Sequence, residues 1–485
     1  MTGRRIAGIV FVIAVLGQGW VLRGDFLADD WGLVATLTDA GEPDFGLGLR
    51  QFAQPVPGVE APLPASMYPK FWRPLWRVSF LTDLAVWGPR PFGFLLTNLL
   101  LHAGGCVLLA LLALRLGLSG PGAIAAGALF ALHPTHHEAV GWIAARGGLL
   151  ATAGVLGCAV LGLDARRRPA LSLAAAGAML LGLLAKESAV VAPALLAVCL
   201  AVAPRDASGS RRWSVLAAPA AAFGIWLLAR RAVLGVWTGG YGISGFAPGS
   251  AQMWRGWMER LQVLSGPGKE ALIAPSINTL LRVVVLAAVL WGAARAARQR
   301  GARPAFVVGL AWLALAFVPV WQFVVDPQIQ QEARFLYPAA GALALVLAAS
   351  LDGPRARLGA TALGLAWIGL TVVNSAHRRA AWELNEVLVE QTREVVWTAP
   401  VGTQILLIGL PDQVGGAYVG RNAVPGMLDP PFDVRVLPTR PLAYTTREGE
   451  LQRFRADLAR IPAEQARMVL GWAPKLRRYR WVQTP

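Results

Sequence analysis

Apolar segments long enough to cross a lipid bilayer recur along the first 374 residues, and no other feature constrains the fold as strongly. About 11 spans are predicted, at residues 6–22, 91–114, 120–133, 147–163, 170–185, 188–204, 213–234, 276–294, 304–324, 335–351 and 358–374. Only 15% of the 485 residues are charged, whereas soluble domains carry about 25%. The mean hydropathy of +0.50 agrees. The sequence therefore predicts an all-α polytopic membrane protein.

The positions of the basic residues predict how the chain is oriented. With a cytoplasmic N-terminus and an uncleaved first helix, the inside segments are 1–5, 115–119, 164–169, 205–212, 295–303 and 352–357. Each contains arginine, and the only acidic residues in them are Asp164, Asp206 and Asp352. This distribution follows the positive-inside rule, so we assign the net charge of +17 to contact with lipid headgroups and not to nucleic acid. The predicted location is the plasma (inner) membrane.

Two regions outside the membrane are large enough to carry structure of their own. One is the long first outside loop, residues 23–90, with an amphipathic segment from Leu75 to Trp87. The other is the polar region 375–485, which we expect to be a small extracytoplasmic α/β domain after a transmembrane domain of residues 1–374. Within it, residues 382–395 have helical periodicity and residues 404–409 are typical of a buried strand.

A pair of carboxylates follows the first span. Charged residues beside the hydrocarbon core are costly, so their positions mark candidate sites. Asp29 and Asp30 can have separated pKa values near an apolar surface, which would leave one ionised as a general base for a hydroxyl. The alternative is that one of them caps a helix that begins near Trp31. We predict both as catalytic, and the residues alone leave the alternative open.

Histidine is concentrated in one part of the chain, because four of the five histidines lie between residues 102 and 137. The segment 133–138 reads HPTHHE, and its side chains are metal ligands or acid–base groups by type. We predict catalytic roles for His136 and Glu138 and substrate contacts for His102, His133 and His137. The use of a divalent metal is left open, with His133, His136, His137 and Glu138 as candidates. The alternative is a helix end broken by proline, with solvated polar residues.

Two further clusters contain basic residues. Lys186 and Glu187 lie between two spans, where they either contact a phosphate or place their charges in the interface. Arg334 lies beside Tyr337 in the segment 332–338, which reads EARFLYP. An arginine at the outer boundary can grip a lipid phosphate with two hydrogen bonds. The alternative is an aromatic-belt anchor with an interfacial arginine.

Taken together, these clusters resemble the motifs of the integral-membrane GT-C glycosyltransferases. The resemblance is to the membrane portion of the transmembrane and tetratricopeptide-repeat O-mannosyltransferases and their bacterial relatives, and it covers about residues 1–375. No such repeats follow the membrane portion in this sequence. The matching residues are Asp29-Asp30, FWRPL at 71–75 with Arg73, NLLLH at 98–102 with His102, HPTHHEAVGWI at 133–143, Arg146, Lys186-Glu187 and EARFLY at 332–337 with Arg334 and Tyr337.

The resemblance implies a GT-C fold and an inverting transfer at the outer face. The donor would be a polyprenyl-phosphate sugar, with mannose suggested by the family, and the acceptor a hydroxyl of a protein or a cell-envelope glycan. It implies that Asp29 or Asp30 is the general base and that Arg146 and Arg334 hold the donor phosphate. The remaining substrate-binding residues predicted from these motifs are Arg73, Lys186, Glu187 and Tyr337.

Two other classes of function fit a polytopic chain. A transporter or flippase of lipid-linked glycans needs ionisable groups near the bilayer midplane. The predicted spans contain almost no acidic residue at mid-depth, which favours a site at the surface. A non-catalytic scaffold whose C-terminal region binds a partner is the other alternative.

Overall fold

A computed structural model of the protein describes residues 1–54, 71–204, 213–237, 251–299, 301–353, 356–424, 426–433, 435, 440–462 and 465–482. The predicted cytoplasmic loop 205–212 lies outside these ranges. Most of the described chain is helical. The α-helices are α1 Gly3–Gln18, α2 Asp29–Ala35, α3 Phe45–Arg50, α4 Pro74–Trp87, α5 Pro91–Arg115, α6 Gly120–Ala131, α7 His136–Ala139, α8 Arg146–Ala165, α9 Leu171–Ala185, α10 Ala192–Val202, α11 Ala217–Leu234, α12 Ala251–Ser265, α13 Pro275–Arg298, α14 Arg303–Phe317, α15 Tyr337–Ser350, α16 Ala356–Thr398 and α17 Glu450–Arg460.

Each predicted span has a helical counterpart. Eight helical segments in the described ranges are long and apolar enough to cross a bilayer. Three shorter apolar helices, Gly120–Ala131, Leu171–Ala185 and Glu187–Val202, correspond to the spans at 120–133, 170–185 and 188–204. The prediction of an all-α polytopic architecture is confirmed. The number of helices that cross the membrane stays a prediction.

The centre of the apolar bundle is α15, which is buried along nearly its whole length. Its sequence is rich in alanine, and such small side chains let neighbouring membrane helices approach closely. A Cβ at Gly309 of α14 would lie 2.7 Å from a methyl group of Val346 and 3.0 Å from its backbone nitrogen. The backbones of α14 and α15 are therefore in close contact at Gly309.

The last apolar helix continues well beyond the predicted end of the membrane domain. α16 runs for 43 residues without a break, because residues 370–398 contain neither glycine nor proline. It ends just before Ala399, which precedes Pro400 and is therefore disfavoured in a helix. The helix predicted at 382–395 is its second half. The division into domains at residue 374 stays a prediction, and one continuous helix passes through that point.

The C-terminal region adds a small sheet on the polar half of α16. The strands of the described chain are β1 Thr38–Asp39, β2 Glu42–Pro43, β3 Gln404–Leu410, β4 Gln413–Val414, β5 Ala417–Tyr418, β6 Leu442–Thr445, β7 Arg467–Ala473 and β8 Arg478–Trp481. The sheet has the strand order β6-β3-β7-β8, with β3 parallel to β6 and β7, and with β7 antiparallel to β8. Two short antiparallel pairs, β1 with β2 and β4 with β5, lie outside this sheet.

A second hydrophobic core joins this region to the first outside loop. The ring of Phe432 contacts Trp31 at 4.6 Å and Phe26 at 5.1 Å between ring centroids. The same core contains residues from α4, α5 and β3. The C-terminal region is therefore packed against the loop that carries the paired aspartates.

Candidate active site

Clusters that are far apart in the sequence meet at one end of the helical bundle. The Asp30 carboxylate accepts the N–H of Ala144, and Arg334 pairs with Glu138 at 2.5 Å. The ammonium of Lys186 lies 4.7 Å from the ring centre of Phe335, the residue next to Arg334. The structure thus brings the aspartate pair, the histidine segment, Lys186 and the segment 332–337 into one site.

The two aspartates have different environments. The Asp30 side chain is fully buried, and its carboxylate accepts backbone N–H groups from Leu27 at 2.9 Å and Ala144 at 2.8 Å. Burial raises its pKa well above the usual range, against these two hydrogen bonds. Asp29 is half-buried, and its Oδ1 accepts the amide N–H of Asn422 at 2.7 Å. Of the two, Asp29 is the one that an acceptor can reach.

The turn before these aspartates is strained. Ala28 has φ 50° and ψ −117°, a combination that a residue with a side chain rarely adopts. Its N–H donates to Val419 at 3.0 Å, so the C-terminal region holds the turn in place. The N-cap of α2 is Ala28, and among the described residues no side chain forms a cap hydrogen bond there, so the interpretation of Asp29 or Asp30 as a helix cap is wrong. Strain of this kind collects at functional sites.

Arg334 lies at the centre of the site. Its backbone N–H and its guanidinium donate to opposite oxygens of Glu138, at 2.9 and 2.5 Å, and Nη2 pairs with Glu332 at 2.6 Å. The guanidinium also lies 4.8 Å from the ring centre of Trp142. Burial raises the pKa of Asp29, and the positive charge of Arg334 partly opposes this rise. Glu138 is buried and holds Arg334 in place, so the geometry gives it a positioning role.

A crevice next to Arg334 combines positive charge with apolar walls. It is lined by Lys186, Ser188, Thr152 and Arg334 together with apolar residues of α8 and α14. Among the described residues, the ammonium of Lys186 has no hydrogen-bond or ion-pair partner. Burial, reinforced by the nearby Arg73 and Arg334, lowers the pKa of Lys186 to about 7. The crevice suits an anion attached to an apolar chain.

Arg73 and Glu187 form an ion pair behind the crevice. Nε and Nη2 of Arg73 donate to the two carboxylate oxygens of Glu187 at 2.9 and 2.5 Å. The guanidinium also lies 4.0 Å from the ring centre of Phe71. This paired geometry fixes both side chains beside Lys186.

Arg146 is enclosed by protein groups. Its guanidinium donates to Asn98, to Ser79 and to the carbonyl of Phe94, and it pairs with Asp83 at 2.5 Å. The side chain has no exposed surface and lies over the ring of Phe80 at 4.2 Å. With every N–H group directed at a protein partner, Arg146 joins α4, α5 and α8. The geometry does not favour it as a ligand for the donor phosphate.

The clustered histidines lie inside the bundle. His102 bonds to the hydroxyl of Tyr337 at 3.0 Å, and His136 bonds to the carbonyl of Phe130 at 2.7 Å. His133 and His137 are equally buried, at 0% and 2% exposure. The alternative that this segment is solvated is therefore wrong. Direct contacts between these side chains and a substrate stay predictions, which their burial does not favour.

A metal site does not emerge from these residues. The described part of the chain contains no group of three or more His, Cys, Asp or Glu side chains placed to hold an ion. His133 is engaged by Thr135 at 2.8 Å and Glu138 by Arg334, so the four candidates do not converge on one point.

Four residues of the site were missed by sequence reasoning. Tyr418 donates to Glu332 at 2.5 Å, and Arg421 and Asn422 act on Asp29 from the same segment. Arg378 is 1% exposed and lies within electrostatic reach of both Glu138 and Asp30. The signal for Arg378 was its place at the polar end of the last apolar helix. For the C-terminal residues the sequence carried no such signal.

Comparisons with known proteins agree with the motifs. No family model matches the chain. It is 35% identical over 139 residues to Protein O-mannosyl-transferase Tmtc1 of Drosophila melanogaster, which is 27% of this chain and 16% of that protein. It is 43% identical over 81 residues to Tmtc2 of the same organism, which is 16% of this chain and 9% of that protein. The matches thus span less than a fifth of either relative.

Among solved structures, the chain is similar to ArnT from Cupriavidus metallidurans, crystallised with undecaprenyl phosphate bound. The TM-score is 0.47 at 14% identity, covering 97% of this chain and 93% of that one. At this level the similarity assigns no residue a role. The motifs and the two curated relatives point the same way: the chain resembles the integral-membrane glycosyltransferases of the GT-C superfamily, in particular the Tmtc O-mannosyl-transferases.

Proposed function

We propose that this protein is an inverting glycosyltransferase that moves a sugar from a polyprenyl-phosphate carrier to an acceptor hydroxyl. The observation that carries the proposal is the position of Arg334. It lines the crevice that contains Lys186, and its charge also acts on Asp29. A carboxylate for the acceptor and a cationic crevice for the donor are thus both within reach of one fixed guanidinium.

The chemistry assigns a role to each side. The acceptor oxygen attacks the anomeric carbon as Asp29 takes the hydroxyl proton. The bond between that carbon and the phosphate oxygen breaks, and the carrier phosphate leaves with an additional negative charge. Lys186 and Arg334 would stabilise this charge in a site poor in water, where fixed cations are most effective. Holding both substrates beside Arg334 supplies the proximity contribution.

The walls of the crevice support a lipid carrier. Trp312, Ala316 and Val320 of the apolar bundle line it together with the charged residues. A polyprenyl chain can stay among such apolar side chains while its phosphate reaches Lys186. The positive-inside distribution supports placing this site at the outer face of the plasma (inner) membrane. Mannose is the first sugar to test, because two relatives are named O-mannosyl-transferases.

The test is binding and transfer by the full chain in lipid nanodiscs, with polyprenyl phosphate and polyprenyl-phosphate mannose as probes. Lys186→Met should weaken polyprenyl-phosphate binding by at least about tenfold, because a charge-assisted bond contributes about 1.5–3 kcal/mol. Lys475→Met is the matched control, since Lys475 is exposed in the C-terminal region. Equal binding by both variants would remove the crevice as the donor site. Absence of transfer with a panel of polyprenyl-phosphate sugars would overturn the function.

A further inference from the structure

A segment of the C-terminal region, residues 412–424 and 426–428, lies directly on the helix that carries the aspartates. The carbonyl of Val419 accepts the N–H of the strained Ala28. Gly426 packs against the backbone of Gly32 in α2, where a Cβ would lie 2.5 Å from the Gly32 nitrogen. Contact at this distance is available only to glycine. The position of α2 therefore depends on this C-terminal segment.

Asn422 of this segment reaches the candidate base. Its Nδ2 donates to Asp29 Oδ1 at 2.7 Å. Among the described residues, Oδ2 of Asp29 has no hydrogen-bond partner. The contact thus occupies one carboxylate oxygen and leaves the other available to take a proton from a hydroxyl.

Several residues of the candidate site have positive φ angles. Six non-glycine residues in the described ranges have positive φ angles. Three of them belong to the candidate site, namely Ala28, Glu332 and Asn422. Asn422 has φ 56°, and asparagine tolerates this left-handed conformation better than most residues. The surrounding structure holds these conformations in place, as expected where geometry serves a function.

Arg421 fixes the loop next to Asn422. Its Nε donates to Asp412 Oδ1 at 2.8 Å, and Nη2 bonds to the other carboxylate oxygen. The guanidinium also lies 4.1 Å from the ring centre of Tyr418. Because Asp412 and Tyr418 both hold the guanidinium of Arg421, the neighbouring Asn422 has little freedom to turn away from Asp29.

We propose that Asn422 is a positioning residue that orients the Asp29 carboxylate, so that the C-terminal segment completes the active site instead of only covering it. This inference rests on the proposed function of Asp29 as the general base. The amide holds Oδ1, and the proton of the acceptor hydroxyl passes to Oδ2. The roles proposed for Lys186 and Arg334 in the transfer stay the same.

The experiment uses Asn422→Gly, which removes the amide but accepts the positive φ without strain. We expect kcat to fall by about 10- to 100-fold, because small misplacements of a reacting group have effects of this size. The KM for the polyprenyl-phosphate sugar should stay within about twofold, since Lys186 and Arg334 are untouched. The hydrogen bond from Asn422 lowers the pKa of Asp29 in the wild type, so its removal raises that pKa. The acid limb of the kcat profile should therefore move to higher pH.

Arg477→Gly is the matched control, because Arg477 also has a positive φ, 48°, in a turn of the C-terminal sheet. It should leave kcat and the acid limb unchanged. Asn422→Asp should lower kcat further than Asn422→Gly, because it places a second carboxylate against Asp29. A wild-type kcat and acid limb in Asn422→Gly would overturn the proposal, as would equal effects of Asn422→Gly and Arg477→Gly.

A double-mutant cycle separates this inference from the proposed function. Heat-inactivation midpoints are measured for Asp29→Ala, Asn422→Gly and the double variant without substrates. A coupling between the two substitutions supports the contact even if no sugar is transferred, in which case only the function fails. Additive effects together with normal transfer would overturn the contact and leave the function intact.

Discussion

The sharpest prediction on folding concerns Asp30, whose carboxylate ties the first outside loop to the residues after the histidine segment. Asp30→Ala removes both acceptors and leaves the N–H groups of Leu27 and Ala144 without partners inside the protein. Asp30→Asn keeps one acceptor oxygen but turns an amide N–H₂ toward the second donor. Asp29→Asn changes a half-buried group and should have a much smaller effect on stability.

The magnitude follows from counting buried donors. An unsatisfied buried polar group costs about 1–3 kcal/mol. Asp30→Asn should therefore destabilise the fold by about 1–3 kcal/mol, and Asp30→Ala by about 2–6 kcal/mol for two donors. Asp29→Asn should remain below about 1 kcal/mol, because Asn422 can still donate to the remaining amide oxygen.

The assay heats the protein in detergent and then measures, by fluorescence-detected gel filtration, the fraction that remains monodisperse. The expected order of midpoints is wild type and Asp29→Asn highest, then Asp30→Asn, then Asp30→Ala. Transfer by Asp30→Asn should persist at temperatures where the variant is folded. A wild-type midpoint with complete loss of transfer in Asp30→Asn would refute the reasoning and make Asp30 the base.

Three further predictions follow from the charges of the site. The KM for the donor should rise as the pH increases above 7, because Lys186 in the empty site loses its proton near that pH. Lys186→Arg should make this KM nearly independent of pH, because arginine stays protonated. Kinetics at fixed acceptor concentration measure both. The kcat should rise with pH through a pKa above 3.8, since burial raises the pKa of Asp29 and a base must be deprotonated; a pH profile checks this. Arg146→Lys should lower the heat-inactivation midpoint without changing donor KM, because one ammonium cannot replace a guanidinium that contacts Asn98, Ser79 and Asp83 together.

Much of the fold was predictable because hydropathy reports directly on helices that must satisfy their backbone groups without water. The predicted amphipathic segment from Leu75 to Trp87 is α4, and the predicted strand at 404–409 is β3. The sequence does not predict the continuity of α16, because a loss of apolar character marks the end of a membrane span but not the end of a helix.

The candidate site can be predicted from the sequence where a charged residue lies next to an apolar span. Asp29, Lys186 and Arg334 are predicted in this way, because charge beside the hydrocarbon core is costly. The same reasoning predicts Arg146 and the histidines, whose burial does not favour contact with a substrate. Composition cannot distinguish an arginine that faces a ligand from one enclosed by Asp83 and Asn98. Whether a polar side chain is buried depends on tertiary packing that a single sequence does not reveal.

Local sequence patterns do not predict the contribution of the C-terminal region to the candidate site. Asn422 and Asp29 are separated by 393 positions, and neither residue type nor periodicity links them. The hydrogen bond exists because Phe432 packs on Trp31 and Gly426 packs on Gly32, which brings the loop to α2. Contacts of this kind arise from the pairing of two surfaces, so only the structure could reveal them.

The most direct test of the central claim is sugar transfer from a polyprenyl phosphate by Asp29→Asn, beside the wild type and Asp39→Asn. Asp39 is exposed on the same loop, so its variant controls for the loss of one negative charge. We predict that Asp39→Asn keeps the wild-type rate, whereas Asp29→Asn stays folded and loses about 10²- to 10⁴-fold in kcat, the usual contribution of a general base. A wild-type rate for Asp29→Asn would contradict the account.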